Sequence, residues 1–375
     1  MMIKPLLIFG TRPEAIKMAP VVLACQQVSE LDPIICLTGQ HRQMLDQVNG
    51  YFGIEAHEDL QVMAADQSLC GLTLKCLEGI DRVLQHYKPD CVVAQGDTTT
   101  VMASAMAAFY RRIPFIHVEA GLRTGNLYAP WPEEYNRRVV GVSADVHCCP
   151  TGESRQNLLR EHVNDRTIHV TGNTVIDALL FTVAAERENS AQWNDRYSGL
   201  GDRPVVLITG HRRENFGDGM RLVCESIRQL ATLFPETEFV YPVHLNPNVR
   251  QPVHEILSNL HNIHLIEPLP YPEFVWLMDR SRVILTDSGG VQEEAPSLRK
   301  PILVMRETTE RPEALAAGAV ELVGTSPERI VSGVSRLLTD EVEYARRQIA
   351  TNPYGDGKAS QRIASLIQSR AWSVV

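Results

Sequence analysis

Short apolar runs alternate with longer amphipathic segments along most of this chain. The first run, residues 5–10, ends at a glycine and leads into a segment with helical periodicity over residues 15–23. Similar apolar runs follow at residues 33–39, 90–97 and 114–121, and an Ala-rich helical segment over residues 98–108 separates the last two. Alternation of this kind predicts right-handed βαβ units on a parallel sheet, and therefore an α/β fold.

A second series of apolar runs begins after the polar stretch 186–202. These runs lie at residues 204–210, 239–243, 263–266, 283–286 and 301–305. A chain of 375 residues also fits two domains better than one. We therefore expect two Rossmann-like domains, residues 1–172 and 173–356. We expect residues 357–375 to form a helix that packs back on the first domain, because the Pro- and Gly-containing spacer 352–357 allows the chain to cross.

The stretch 286–296 links a predicted strand to a predicted helix. Such a junction offers unpaired backbone N–H groups and the positive end of a helix dipole, and Gly289 and Gly290 let a ligand approach the main chain. A diphosphate suits this environment. Glu294, which we expect in the first turn of the helix, is a carboxylate suited to ribose hydroxyls. An ordinary capped turn is the simpler interpretation of the same residues.

Composition and motifs exclude several classes of function. The net charge of −9 and the pI of about 5.8 argue against nucleic acid or an anionic membrane as the main partner. The eight cysteines form no CxxC pair, which is typical of a reduced, cytoplasmic protein. No apolar span predicts membrane insertion, and the N-terminal sequence does not look like a signal peptide. The fingerprints of NAD binding, of a P-loop and of a metal site do not occur, so we expect no cofactor and no metal.

Charged side chains follow several of the predicted strands. Arg12 and Lys17 frame the first loop and Arg311 follows residues 306–310, so cations from both halves are candidates to bind a diphosphate in the interdomain cleft. Taken singly, each is better explained as a solvated surface charge. His211 also ends a strand and is a candidate ligand or acid.

Three carboxylates are candidates for proton transfer. Asp97 and Glu119 follow neighbouring strands, and Glu133 lies in the Pro-containing segment 128–134, where we expect no regular element. Asp97 has an alternative role as the N-cap of the helix that follows it.

These segments together carry a family resemblance. They are residues 9–17, 40–46, 96–100, 117–124, 210–215, 242–247, 287–296, 310–314 and 352–357. With them the chain resembles the non-hydrolysing UDP-N-acetylglucosamine 2-epimerases over nearly its whole length. The resemblance implies a two-domain fold like that of the GT-B glycosyltransferases, a homodimer in the bacterial cytoplasm, and conversion of UDP-GlcNAc to UDP-ManNAc for surface polysaccharide precursors.

The resemblance also implies roles for individual residues. Asp97, Glu119, Glu133 and His211 match the catalytic group of the family. The residues that match its UDP site are Arg12, Lys17, Phe274 near the uracil, Ser288, Gly289, Gly290, Glu294 and Arg311. The residues that match a second UDP-GlcNAc site of regulated members are Gln40, His41, Gln43, Arg212, Glu214 and His244.

The chain departs from the family pattern at two positions. Asp66 stands where the resemblance places an effector-binding arginine, so the resemblance does not extend to activation through that contact. Arg299 replaces a usual glycine, and we expect only a local effect.

The chemistry implied by the resemblance is elimination of UDP to a 2-acetamidoglucal, followed by re-addition after proton return on the other face. The sequence does not assign the base among the three carboxylates. Three other functions remain open at this point: a hydrolysing epimerase that releases ManNAc, a GT-B-type glycosyltransferase, and a nucleotide-sugar sensor without turnover. The carboxylate cluster argues against the sensor.

Overall fold

The structure is a computed structural model, and it describes residues 2–39, 42–64 and 66–374. The chain divides into two compact units. Unit 1 comprises Met1–Ala178 and Tyr354–Val375, and unit 2 comprises Leu179–Pro353. The sequence had suggested borders after residues 172 and 356.

Unit 1 contains a parallel sheet of seven strands in the order β3-β2-β1-β4-β5-β6-β7. The strands are β1 (Pro5–Phe9), β2 (Ile34–Leu37), β3 (Glu58–Asp59), β4 (Cys91–Gln95), β5 (Phe115–Val118), β6 (Val146–Cys149) and β7 (Ile168–Val170). The helices are α1 (Arg12–Gln26), α2 (Arg42–Phe52), α3 (Leu69–Tyr87), α4 (Thr99–Tyr110), α5 (Glu133–Ser143), α6 (Gly152–Arg160) and α7 (Thr174–Glu188), which crosses the border between the units.

Unit 2 contains a parallel sheet of six strands in the order β10-β9-β8-β11-β12-β13. The strands are β8 (Val205–Thr209), β9 (Glu238–Pro242), β10 (Ile263–Ile266), β11 (Val283–Thr286), β12 (Ile302–Val304) and β13 (Val320–Leu322). The helices are α8 (Ser190–Arg196), α9 (Asp218–Leu233), α10 (Pro247–Leu257), α11 (Tyr271–Arg280), α12 (Gly289–Glu294), α13 (Pro312–Ala316), α14 (Pro327–Thr339) and α15 (Glu341–Arg347).

The last helix of the chain, α16 (Ala359–Gln368), belongs to unit 1, where it contacts α1. Asp177 fixes its first turn by accepting hydrogen bonds from the backbone N–H of Ser360 at 2.7 Å and of Ala359 at 3.2 Å. The N–H groups at the start of a helix have no partner within the helix, so a buried carboxylate satisfies them.

Apolar strands form the center of both units. The strands of a parallel sheet are covered on both faces by helices, which explains why each strand is a continuous apolar run in the sequence. On one face of the sheet in unit 1, side chains of β1 and β4 pack against α3 and α4. On one face of the sheet in unit 2, side chains of β8 and β9 pack against α9 and α14. Representative core residues are Leu6, Ile8, Val92, Ile80 and Val101 in unit 1, and Val206, Ile208, Phe239, Ile227 and Ile330 in unit 2.

Strand order reverses direction once in each unit. In unit 1 the reversal lies between β1 and β4, because β2 follows β1 on one side and β5 follows β4 on the other. In unit 2 it lies between β8 and β11. Ligands of open α/β sheets bind at such reversals, outside the carboxyl ends of the strands. The loops after β1, β4, β8 and β11 are therefore where a site is expected.

The segment before α5 differs from the sequence-based expectation. Glu133 was expected in irregular chain, but it is the first residue of α5, and the prolines lie directly before the helix. The expectation was wrong because proline excludes the helix interior and not the chain just ahead of a helix. The polar stretch 186–202 is also largely helical, since it contains the end of α7 and all of α8.

Candidate active site

The loop after β1 is built around Glu14. Thr11 caps α1, and the Glu14 carboxylate accepts hydrogen bonds from the backbone N–H of Gly10 at 2.9 Å and of Thr11 at 2.7 Å. Its other oxygen accepts from the Thr98 hydroxyl at 2.6 Å. Burial raises the pKa of the Glu14 carboxyl, and the hydrogen bonds oppose that shift. Glu14 thus joins the loops after β1 and β4, and it places Arg12 at the first position of α1.

Glu119 and Lys17 form a nearly buried ion pair. Lys17 Nζ lies 2.8 Å from Oε1 and 2.7 Å from Oε2 of Glu119, and the Glu119 side chain is 5% exposed. Gln95, the last residue of β4, donates its amide N–H to Oε2 of the same carboxylate. Glu119 has a left-handed backbone with a φ of 63°, which is costly for a residue with a side chain. Strain of this kind is common at functional sites.

Asp97 is held by a neighbor from α5. Arg137 donates to Asp97 Oδ2 from Nε at 2.9 Å and from Nη2 at 2.8 Å. The same guanidinium reaches Glu134 at 3.2 Å. The alternative role of Asp97 as a helix N-cap was wrong, because the cap of α4 is Thr98, whose hydroxyl accepts from Val101 N–H. Asp97 therefore remains a candidate for proton transfer, and it lies beside the Arg137 guanidinium.

Glu133 and Glu134 occupy the first turn of α5. Glu134 is buried and accepts from the backbone N–H of Thr124 at 3.1 Å and of Gly125 at 3.3 Å. Glu133 is half-buried. Glu134 therefore organizes the segment before the helix, while Glu133 keeps its place as a candidate for proton transfer.

His211 lies at the reversal of strand order in unit 2. The buried Asp287 accepts hydrogen bonds from the backbone N–H groups of His211 and Arg212, each at 2.9 Å, and its Oδ1 lies 3.5 Å from Nδ1 of His211. The His211 ring stacks on that of His244 with centroids 5.5 Å apart. Burial lowers the pKa of His211, Asp287 opposes the shift, and Arg212 and His244 add to it.

Two arginines converge on the turn between β11 and α12. Ser288 precedes α12, and Gly289 is its first residue. A Cβ placed on Gly289 would lie 3.7 Å from Nη2 of Arg212 and 3.8 Å from Nη2 of Arg311. Glu293 pairs with Arg311 and holds its guanidinium in place. Backbone N–H groups and two guanidinium groups therefore meet at one glycine, an arrangement suited to a phosphate group.

Glu294 lies at the other end of α12. It was expected in the first turn, but the helix has six residues and Glu294 is the last of them. Its Oε1 accepts a hydrogen bond from the Tyr271 hydroxyl at 2.9 Å. Tyr271 is the first residue of α11, which also carries the half-buried Phe274. The two residues predicted for the nucleoside, Glu294 and Phe274, thus lie on helices joined by this hydrogen bond.

The residues predicted for a second nucleotide are only partly described. Gln40 and His41 lie outside the described residues, and Gln43 lies in α2, where only its backbone is described. Glu214 pairs with Arg306 at 2.6 Å, and the His244 ring accepts from Asn246 N–H at 3.1 Å. Arg212 lies at the Gly289 turn.

Sequence reasoning missed several residues that hold the candidates in place. They are Glu14, Gln95, Glu134, Arg137 and Asp287. Arg137 follows Glu134 by three residues in a helix, and this spacing, which allows an ion pair, was a usable sequence signal. Gln95 and Asp287 had no such signal, because their contacts join segments distant in sequence.

Within residues 2–39, 42–64 and 66–374, no group of three or more His, Cys, Asp or Glu side chains is placed to hold a metal ion. No helix in this part of the chain has the length and apolar character needed to cross a bilayer.

Two parallel-sheet units with charged side chains at their strand-order reversals define a two-domain α/β protein with a GT-B-like fold. A glycosyltransferase from Rickettsia africae with 14% identity and a TM-score of 0.64 shares this fold, which confirms the predicted fold class at the level of architecture. The family model described as UDP-N-acetylglucosamine 2-epimerase matches residues 23–368. The chain belongs to that family.

Individual relatives are similar over their whole length. The UDP-N-acetylglucosamine 2-epimerase of Escherichia coli K12 is 52% identical, with 99% of this chain and 100% of that protein covered. The crystal structure of UDP-GlcNAc 2-epimerase from Neisseria meningitidis bound to UDP-GlcNAc has a TM-score of 0.91 and 49% identity, covering 98% of this chain and 100% of that one. The Methanocaldococcus jannaschii enzyme in complex with UDP-GlcNAc and UDP has a TM-score of 0.81 and 33% identity, covering 98% and 100%. The predicted family is confirmed.

Proposed function

We propose that this chain is an isomerase that converts UDP-N-acetylglucosamine to UDP-N-acetylmannosamine, reversibly, at carbon 2 of the sugar. The observation that carries the proposal is full-length similarity to UDP-N-acetylglucosamine 2-epimerases at about half identity. The contacts of the described residues support it. Unit 2 holds cations and a glycine at a helix start, as a diphosphate requires, and unit 1 holds carboxylates, as proton transfer requires.

The proposed reaction needs no redox step. The bond between the anomeric carbon and the UDP oxygen breaks, and UDP leaves with the electron pair. The proton on carbon 2 goes to a carboxylate, and a carbon–carbon double bond forms between carbons 1 and 2, giving a 2-acetamidoglucal. Return of a proton to the opposite face of carbon 2 and attack of UDP on carbon 1 complete the inversion. The protein therefore has two tasks: to stabilize UDP as it leaves, and to move protons.

Unit 2 carries the first task in this proposal. The guanidinium groups of Arg212 and Arg311 near Gly289 stabilize the negative charge that develops on the diphosphate. Glu293 keeps Arg311 in position, so little reorganization is needed when UDP leaves. Glu294 takes the ribose hydroxyls and Phe274 the uracil.

Unit 1 carries the second task. Asp97, Glu119 and Glu133 share removal and return of the proton, with His211 of unit 2 as a further acid or ligand. Arg12 and Lys17 add positive charge. Lys17 is already paired with Glu119, so its charge serves that carboxylate directly. General acid and base steps of this kind are each worth roughly 10²–10⁴-fold in rate.

Incubation of the purified protein with UDP-GlcNAc in D₂O tests the proposed function. We expect UDP-ManNAc that carries deuterium at carbon 2, because the proton leaves and returns through groups that exchange with solvent. Free ManNAc and UDP would identify a hydrolyzing epimerase instead. Unchanged, undeuterated substrate would show that the chain is a transferase or a sensor.

Substitution of the three carboxylates tests their roles. Asp97→Asn, Glu119→Gln and Glu133→Gln should each lower kcat by roughly 10²-fold or more if the residue transfers a proton. Glu153→Gln is the matched control, because Glu153 is an exposed carboxylate that pairs with Arg160 on α6. A residue whose substitution leaves kcat at the wild-type value has no place in the proton transfer.

We also propose that the chain forms a homodimer in the cytoplasm. Helices α3, α4 and α5 contact one another in series, and they expose large apolar side chains. Phe109 is 63% exposed, Tyr110 69% and Val142 90%. Apolar side chains on adjoining helices suit a protein interface. Light scattering checks the mass, and we expect Phe109→Glu with Val142→Glu to yield monomers.

The seven buried free cysteines support a reducing compartment.

A further inference from the structure

Gln95 stands out among the neighbors of Glu119 because one of its two polar side-chain atoms has no hydrogen-bond partner among the described residues. The side chain is buried, with 5% of the residue exposed, and its amide nitrogen donates to Glu119 Oε2. Its amide oxygen is buried and accepts no hydrogen bond from any described residue. An unsatisfied buried acceptor destabilizes the folded protein, so a glutamine at this position needs an explanation.

The orientation of the Gln95 amide follows from the charge on Glu119. Lys17 Nζ lies within 2.8 Å of both Glu119 oxygens, which is the geometry of an ion pair between an ammonium and a carboxylate. A charged carboxylate only accepts hydrogen bonds, so the amide must present its nitrogen. The oxygen is then turned away and left without a donor.

Protonation of Glu119 reverses this requirement. A carboxylic acid has an O–H group that needs an acceptor. The ammonium of Lys17 has only donors and cannot accept that hydrogen bond. A half-turn of the Gln95 amide about its last side-chain bond exchanges its nitrogen and oxygen, and the oxygen that lacks a partner beside the carboxylate becomes the acceptor for the acid.

We propose that Gln95 is a positioning residue that holds Glu119 in one place in both of its protonation states, as a hydrogen-bond donor to the carboxylate and as an acceptor from the acid. The proposal rests on the proposed function, in which Glu119 gains and loses the proton of carbon 2. The strained backbone of Glu119 fits this role, because its side chain must be held firmly to stay aimed at a substrate atom.

Three substitutions separate the two roles of the amide. Gln95→Leu removes the donor and the acceptor, Gln95→Lys keeps donors only, and Gln95→His restores both, because neutral imidazole has one of each. We expect Gln95→Leu and Gln95→Lys to lower kcat by about 10²-fold, the loss that follows a displacement of about 1 Å in a reacting group, while KM changes less than threefold. The kcat of Gln95→His should be at least tenfold higher than that of Gln95→Leu or Gln95→Lys.

Thr182→Val is the matched control, because it removes a buried polar atom that has no hydrogen-bond partner among the described residues. Thr182 lies in α7, it is fully buried, and its hydroxyl has no partner among the described residues. Its replacement should leave kcat and KM unchanged. Rescue by Gln95→His gives a second readout, because a role in packing alone would not favor histidine over lysine.

The outcomes distinguish this proposal from the proposed function. A wild-type kcat in Gln95→Leu would overturn it, as would a Gln95→Lys variant as active as Gln95→His. If Gln95→Leu does not fold, the comparison of lysine with histidine decides. If the wild-type protein forms no UDP-ManNAc, the proposed function fails, and crystal structures of wild type and Glu119→Gln decide the positioning role, because the amide of that variant has a donor and an acceptor as the neutral acid has. A side chain at position 119 that leaves its place in Glu119→Gln overturns the proposal.

Discussion

Glu119 and Arg299 both have a left-handed backbone, but for different reasons. The φ angles are 63° and 55°. Glu119 is buried and tied to Lys17 and Gln95, so its strain accompanies a candidate site. Arg299 is exposed and follows the short 3-10 segment Ala295–Leu298 as its C-cap. A glycine adopts this conformation without steric cost, which explains the glycine expected here from the family pattern.

We expect Arg299→Gly to stabilize the protein against urea unfolding by about 0.5–1 kcal/mol. The left-handed conformation costs a residue with Cβ about 1–2 kcal/mol, and the larger entropy of glycine in the unfolded chain returns part of the gain. Lys88→Gly, at the left-handed C-cap of α3, should behave alike, whereas Lys75→Gly inside α3 should destabilize by about 1 kcal/mol. Equal losses at all three positions would contradict the strain at Arg299.

At the scale of single residues, the sequence located charged groups but not their partners. Position after an apolar run pointed to Asp97, Glu119 and His211 as residues at strand ends, because strand ends can be read from local pattern. The pairing of Asp97 with Arg137 depends on where α5 begins. The prolines before α5 led to the expectation of irregular structure at that position. The donor from Gln95 to Glu119 depends on the register of β4 and β5, which local pattern does not encode.

The turn between β11 and α12 is the element on which nucleotide binding depends in our proposal. α12 has only six residues, so its dipole is small and the side chains around the turn must supply most of the charge. Arg212 and Arg311 approach Gly289 from two different loops. Guanidinium groups therefore surround the space next to the Gly289 Cα, and this space is open because glycine has no side chain.

We expect Gly289→Ala to weaken UDP binding at least tenfold, or about 1.4 kcal/mol, while the unliganded fold keeps its stability within about 0.5 kcal/mol. The new methyl group has ordinary contacts of 3.7 Å or more in the protein, but it occupies the space between backbone and phosphate. Calorimetric titration with UDP measures the first quantity and urea unfolding the second.

Gly152→Ala is the control for this substitution. Gly152 is also the first residue of a helix, α6, and a Cβ there meets no atom within 4 Å. Gly152→Ala should change neither the affinity for UDP nor the stability against urea unfolding. Unaltered UDP affinity in Gly289→Ala would show that the diphosphate does not approach this turn.

Among the elements, long apolar runs were predicted well and short ones were not. The strands β1, β2, β4 and β5 of unit 1 and β8 to β12 of unit 2 were predicted from sequence, whereas β3, β6, β7 and β13 were not. The two-residue β3 and the three-residue β13 lie at sheet edges and bury too few residues to leave a pattern. Glu294 was misplaced within α12 because sequence does not reveal that a helix ends after six residues and continues as a 3-10 turn.

At the scale of the whole molecule, two units of similar architecture each have one reversal of strand order. The sequence predicted this organization because alternation of strands and helices stops and restarts once. Unit 1 differs from unit 2 in its histidines. His117 and His147 are paired in register on β5 and β6 and are almost completely buried. Burial lowers the pKa of His117 to about 4 and that of His147 to about 3.

We expect His147→Leu to reduce the loss of stability between pH 7 and pH 5 by about 2 kcal/mol. The pKa of His147 is lower in the folded state than in the unfolded state, where it is near 6.5. Between about pH 6.5 and pH 3 the unfolded chain therefore binds the proton and the folded chain does not. Stability from this group is fully present above pH 6.5 and falls as the pH decreases.

Urea unfolding of wild type and variant at pH 7 and pH 5 measures the difference. The comparison between variants cancels contributions from carboxyl groups, which are the same in both proteins. His117→Leu should act in the same direction. The same pH dependence in wild type and His147→Leu would mean that the ring is hydrated in the folded protein.

The return of α16 to unit 1 has a consequence for synthesis on the ribosome. Asp177 precedes unit 2 in the chain, and its partners Ala359 and Ser360 follow it. The nascent N-terminal unit therefore waits for its closing helix until every residue of the inserted unit has been translated. Unit 2 has no such dependence on later residues, so it is the first of the two whose complete chain emerges for folding.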